Sequence, residues 1–124
     1  MKTILIADDE PDQVETLWQF LTSRGYKVLT AANGEQVMSK AVEFQPDLIV
    51  LDIMMPKIDG TQVAMLLKQD PRTSGIPIFF ITAVISAEDH QNTGGSPNPI
   101  FAKPVKLQEL LDAIGNILTD KPAV

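Results

Sequence analysis

No cysteine occurs among the 124 residues, so the chain has neither a disulfide framework nor a zinc-thiolate site. Histidine is nearly as scarce: His90 stands alone in a polar stretch and reads as solvated. Positive charge is also short. Ten Lys and Arg against sixteen Asp and Glu leave a formal net charge of −6, which argues against direct binding to nucleic acid or to an anionic membrane. No apolar run is long enough to span a bilayer, and Met1 to Asp9 carries one positive charge and too short an apolar core for a signal peptide. A cytoplasmic protein is the resulting expectation. Nor does a Gly-rich loop join the first apolar run to the helical pattern behind it, which weakens a flavin or nucleotide site.

What is present suits one domain over residues 1–124, with Asp120 to Val124 as a frayed tail. Its centre is Leu48-Ile49-Val50-Leu51-Asp52. Four large apolar residues in succession predict a strand covered on both faces, as in a parallel sheet between helices, and Asp52 stands at its carboxyl end, where open α/β sheets bind ligands.

The other elements follow in order. Thr3 to Ala7 is an apolar run that stops at Asp8-Asp9-Glu10. Pro11 suits a first helical turn, and Val14, Leu17, Trp18 and Leu21 form an apolar stripe read as core, ended by Gly25. Tyr26 to Thr30 reads as a strand. Asn33 caps a helix in which Gln36 completes a capping box and Val37, Ala41 and Phe44 lean inward. After Asp59-Gly60, read as turn chemistry, Val63, Leu66 and Leu67 mark a helix broken by Asp70-Pro71-Arg72. Ile76 to Ile81 predicts a strand ending at Thr82. From Ser86 to Pro99 no large apolar residue recurs at any period, so at most one helical turn and then a mobile loop are expected. Ile100 to Ala102 reads as a short strand ending at Lys103-Pro104, and Leu107, Leu110, Leu111, Ile114 and Leu118 as the inner face of a last helix. Alternating strands and helices with right-handed crossovers predict one parallel sheet with helices on both faces.

Polar residues then sit at successive strand ends: Asp8 and Asp9, Asp52, Thr82 and Lys103. Taken singly, the first acids also suit a helix N-terminus, Thr82 an ordinary strand end and Lys103 a solvated surface. Gathered together they point to chemistry. Like-charged carboxylates about 4 Å apart cost on the order of 4 kcal/mol per pair at an effective dielectric of ~20, so a cation is needed to relieve them. Oxygen donors without Cys or His suit Mg²⁺. An ammonium and a hydroxyl beside them fit a phosphoryl group, with Asp52 as nucleophile and Lys103 and Thr82 binding the phosphoryl oxygens.

These residues resemble the receiver domain of two-component response regulators. The likeness is carried by Ile4-Leu5-Ile6-Ala7-Asp8-Asp9-Glu10-Pro11, by Leu51-Asp52-Ile53-Met54-Met55-Pro56 through Asp59-Gly60, by Ile81-Thr82-Ala83 and by Lys103-Pro104. It implies a flavodoxin-like, doubly wound, five-stranded parallel sheet with helices on both faces, here with the fourth helix short or disordered. It further implies that Asp52 accepts phosphate from a sensor histidine kinase or a histidine phosphotransfer protein. Mg²⁺ would be held directly by Asp9 and Asp52, with Asp8 assisting through water and the backbone carbonyl of Met54 completing the set. Thr82 resembles the family's switch hydroxyl and Lys103 its phosphate-binding lysine, and the Lys103-Pro104 bond is expected to be cis.

Two departures stand out. The family usually carries Tyr or Phe three residues before the lysine, where this chain has Ile100, with Phe101 adjacent; and residues 86–99 replace an amphipathic helix. The expected function is a stand-alone phosphoacceptor that catalyses only its own phosphotransfer and dephosphorylation and signals through a downstream protein. The competing reading is a phosphate-independent receiver-like interaction module. A phosphatase working through an aspartyl phosphate would carry a second Asp two residues after the nucleophile, where this chain has Met54.

Overall fold

The computed structural model describes residues 2–55, 59–82, 100–102 and 105–118. Five strands, β1 (Thr3–Ala7), β2 (Lys27–Ala31), β3 (Leu48–Asp52), β4 (Ile78–Thr82) and β5 (Ile100–Ala102), alternate with α1 (Pro11–Ser23), α2 (Gly34–Phe44), α3 (Gly60–Gln69) and, after β5, α4 (Leu107–Leu118). All strand pairs are parallel, in the order β2-β1-β3-β4-β5. The chain steps outward from β1 to β2 and then returns past β1 to β3, so the order reverses between β1 and β3. That switch point opens a crevice at their carboxyl ends.

The apolar residues divide by face. Leu5, Ala7, Ile49, Leu51, Ile78 and Phe80 meet Val37 and Ala41 of α2 and Val63, Ala64 and Leu67 of α3. Ile4, Ile6, Leu48, Val50, Phe79 and Ile81 meet Leu17 and Leu21 of α1 and Leu110 and Ile114 of α4. Strict alternation along each strand feeds both cores, which is why β3 and β4 are buried at every position. The fold is the flavodoxin-like arrangement expected from the sequence.

Several local expectations change. Trp18 is not core: Leu17 and Leu21, one turn apart, centre the buried stripe of α1, and Trp18, a further 100° round the helix, is 44% exposed on its flank. Phe44 and Leu66 likewise lie outside the cores; Ala64 takes the inward place beside Val63 and Leu67. Strand β4 begins at Ile78 rather than Ile76. Pro77 has no N–H, although its carbonyl accepts from Ile49, and Ile76 N–H is committed to the turn carbonyl of Thr73. Strand β2 runs Lys27 to Ala31, one residue later than expected, because Tyr26 N–H bonds back to Leu21 of α1. Asn33 accepts from Gln36 N–H at 2.9 Å, and the Gln36 side chain reaches past the cap to Ala32 N–H at 2.8 Å. Residues 86–99, the Lys103-Pro104 bond and the tail lie outside the described residues.

Candidate functional site

Strand β1 carries Asp8 to the crevice directly: Asp8 N–H still donates to Ala31 of β2, and its side chain is only 2% exposed. Oδ1 of Asp8 accepts the N–H of Glu10 at 3.0 Å, a turn that folds the chain into α1. Glu10 occupies the N-cap position of α1 without capping it through its side chain, so helix capping does not account for this acidic run. Asp52, 1% exposed, arrives on the neighbouring strand end, and its Oδ1 accepts Met54 N–H at 3.0 Å.

Among the described residues, carboxylate oxygens of Asp8, Glu10 and Asp52 lie within 4.8 Å of one another. The turn closed by the bond from Glu10 N–H to Asp8 Oδ1 brings the carboxylates of residues 8 and 10 together. Asp9 between them is exposed and stands outside that group. From sequence, Glu10 reads only as a charge at a helix start; its two-residue spacing from Asp8 is the signal that could have placed it here. Asp9 instead shares with Asp8, Pro11, Val14 and Trp18 the wall of a cavity of about 490 Å³ between α1 and the start of α2. Lys40 reaches across from α2 to donate to the carbonyl of Thr30.

Thr82 closes β4 and is buried at 3% exposure. The register pairs Asp52 with Ile81 and Thr82 with Ala102, so the hydroxyl is one residue beyond the pairing partner of Asp52. Lys103 lies outside the described residues. Met54 is 58% exposed beside Asp52, at the mouth of the crevice. Ile100 packs toward the α2/α3 face, whereas Phe101 faces α1 and α4, its ring 5.5 Å from that of Phe79. Adjacent strand residues point to opposite faces, so Phe101 does not stand in for an aromatic at position 100.

Asp59 has a structural task. It accepts the hydroxyl of Thr61 at 2.6 Å and the N–H of Gln62 at 3.0 Å as the N-cap of α3. Those bonds, the Thr61 hydroxyl foremost, hold its carboxyl below the ordinary aspartate range. The charged form is bonded only in the folded chain, so this contribution is present above about pH 4 and is lost as pH falls through the lowered value. Asp59→Ala is expected to cost about 1 kcal/mol near neutrality. In urea melts at a series of pH values, the difference from wild type shrinks as acid protonates Asp59.

A family model for the response regulator receiver domain matches residues 4–115. The chain belongs to the response regulator receiver family. This receiver is 36% identical over 119 residues to the DNA-binding dual master transcriptional regulator RpaA of Synechocystis, covering 95% of this chain and 49% of that protein. It is 33% identical over 119 residues to Protein PilH of Pseudomonas aeruginosa, covering 95% of this chain and 98% of the other. A solved response regulator from Chloroflexus aurantiacus matches with a TM-score of 0.85 at 33% identity, covering 94% and 97% of the two chains. The receiver spans half or less of the first curated relatives it matches, from 49% down to 23%. It is a signalling domain of two-component systems. No described helix is long and apolar enough to cross a membrane.

Proposed function

We propose that this receiver takes a phosphoryl group onto Asp52 from the phosphohistidine of a sensor histidine kinase or a histidine phosphotransfer protein. The observation that carries this reading is the burial of Asp52 against Asp8, with Glu10 near enough that all three offer oxygens within 4.8 Å. A carboxylate oxygen of Asp52 attacks phosphorus; the P–N bond breaks, and the leaving imidazole keeps the electron pair and takes up a proton. The Lys103 ammonium neutralises charge on the phosphoryl oxygens, the Thr82 hydroxyl donates a hydrogen bond to them, and Met54 at the crevice mouth lies beside the path of attacking water.

The donor set fits Mg²⁺: hard oxygens, crowded and alike in charge, with no nitrogen or sulfur among them. Asp9 and Asp52, assisted by Asp8 and the Met54 carbonyl, are the ligands the family pattern assigns; the ion supplies charge neutralisation of the phosphoryl group when bound. The arrangement of the carboxylates brings Glu10 nearer than Asp9, so the comparison of Asp9→Ala with Glu10→Ala belongs in the test. A module that worked without phosphate would have no use for carboxylates crowded at one sheet edge, two of them buried, where their mutual repulsion opposes folding. A cytoplasmic setting and an unidentified downstream protein as the receiver of the signal complete the proposal.

The experiment is the intact mass of the protein with acetyl phosphate, with and without Mg²⁺. One added phosphate that depends on Mg²⁺ is expected, together with weaker Mg²⁺ binding in Asp9→Ala than in Glu10→Ala. No addition under any condition would refute the proposal, and the reverse order of affinities would hand the ligand role to Glu10.

A further inference from the structure

We propose that Gly60 is a positioning residue for the phosphoacceptor, an inference that rests on the reading of Asp52 as the nucleophile. Gly60 opens α3 and is buried. Its backbone does not adopt a positive φ, so conformational freedom is not what this position requires of glycine. Space is. A Cβ at residue 60 would sit 2.4 Å from the backbone carbonyl oxygen of Asp52, 2.8 Å from Cα of Ile53 and 3.0 Å from the carbonyl carbon of Asp52.

All three atoms are backbone of the segment that carries the acceptor, and that segment has little room to yield. Ile53 N–H donates to Ile81 of β4 at 2.9 Å, and the Ile53 carbonyl accepts Gly60 N–H at 2.8 Å and Met55 N–H at 3.2 Å. The helix is anchored in turn by Val63, Ala64 and Leu67 in the core. A methyl group at residue 60 therefore displaces α3, the Asp52–Ile53 peptide, or both. Because Met54 N–H is bonded to the Asp52 carboxylate at 3.0 Å, a tilt of that peptide turns the nucleophile and moves Met54 with it. The bare Cα of Gly60 thus lets α3 close on the strand end and aim the acceptor.

The test compares Gly60→Ala with Asp59→Ala, which weakens the same helix start by removing its cap and introduces no clash. Initial rates of phosphorylation by acetyl phosphate are followed by intact mass across Mg²⁺ concentrations, at a temperature where circular dichroism shows both variants folded. Gly60→Ala is expected to lower the limiting rate on the order of ten-fold or more, since displacement of a reacting group by a fraction of an ångström is costly, while Asp59→Ala stays within about two-fold of wild type. A wild-type rate in Gly60→Ala, or an equal fall in Asp59→Ala, would overturn the proposal. If Gly60→Ala does not fold, glycolic acid at residue 60 removes the N–H bonded to Ile53 without adding a methyl group; a slower limiting rate is expected, and a wild-type rate refutes the inference. Failure of the wild-type protein to accept phosphate, or labelling of Asp52→Asn, would instead refute the reading of Asp52 itself.

Discussion

Asp52→Asn is expected to accept no phosphate from acetyl phosphate, at any Mg²⁺ concentration, while unfolding at a higher temperature than the wild-type protein without metal. The first effect follows from chemistry: a carboxamide has no charged oxygen with which to attack phosphorus. The second follows from the cluster. Asp8, Glu10 and Asp52 bring carboxylate oxygens within 4.8 Å. At that separation each like-charged pair costs on the order of 3 kcal/mol for an effective dielectric of about 20. The amide oxygen introduced by Asp52→Asn keeps the geometry needed to accept Met54 N–H, so that bond is retained while one of the three negative charges leaves the cluster. Mg²⁺ should raise the melting temperature of wild type by binding the folded state and raise that of Asp52→Asn much less. Phosphate labelling of the Asp52→Asn protein, or a variant less stable than wild type in metal-free buffer, would contradict this account.

The largest loss of stability is expected from Phe79→Ala. Phe79 lies in β4 at 2% exposure, inside the face covered by α1 and α4, and its ring tilts against Phe101 with centroids 5.5 Å apart. Removing it takes away the transfer free energy of a large side chain and leaves a cavity between the sheet and two helices. Substitutions of this kind cost about 3–5 kcal/mol, a large part of the stability of a small domain. The contact also ties β5, a strand of three residues at the sheet edge, to its neighbour. A lower urea midpoint with an unchanged slope is the expected observation. A shift below about 1 kcal/mol would mean that α1 and α4 close over the gap.

Much of this protein is legible in its sequence. Continuous apolar runs in β3 and β4 can be buried only between two helical layers, so the sandwich of βα units followed from pattern. That Asp8, Asp52 and Thr82 stand together at one sheet edge was legible because the carboxyl ends of neighbouring parallel strands share that edge, whatever the details of packing. The remainder depends on packing in three dimensions. Which acids meet depends on how the chain turns after β1, and the bond from Glu10 N–H to Asp8 puts Glu10, not Asp9, beside Asp52. Whether Trp18 is core or surface depends on where Leu17 and Leu21 point α1, a rotation that periodicity alone leaves open by one residue. Phe101 was separated from the role of position 100 by register, since one residue along a strand is the opposite face of the sheet. The need for glycine at 60 was hidden in the sequence as turn chemistry; it became visible only when α3 was seen to approach the backbone of the acceptor strand more closely than a methyl group allows.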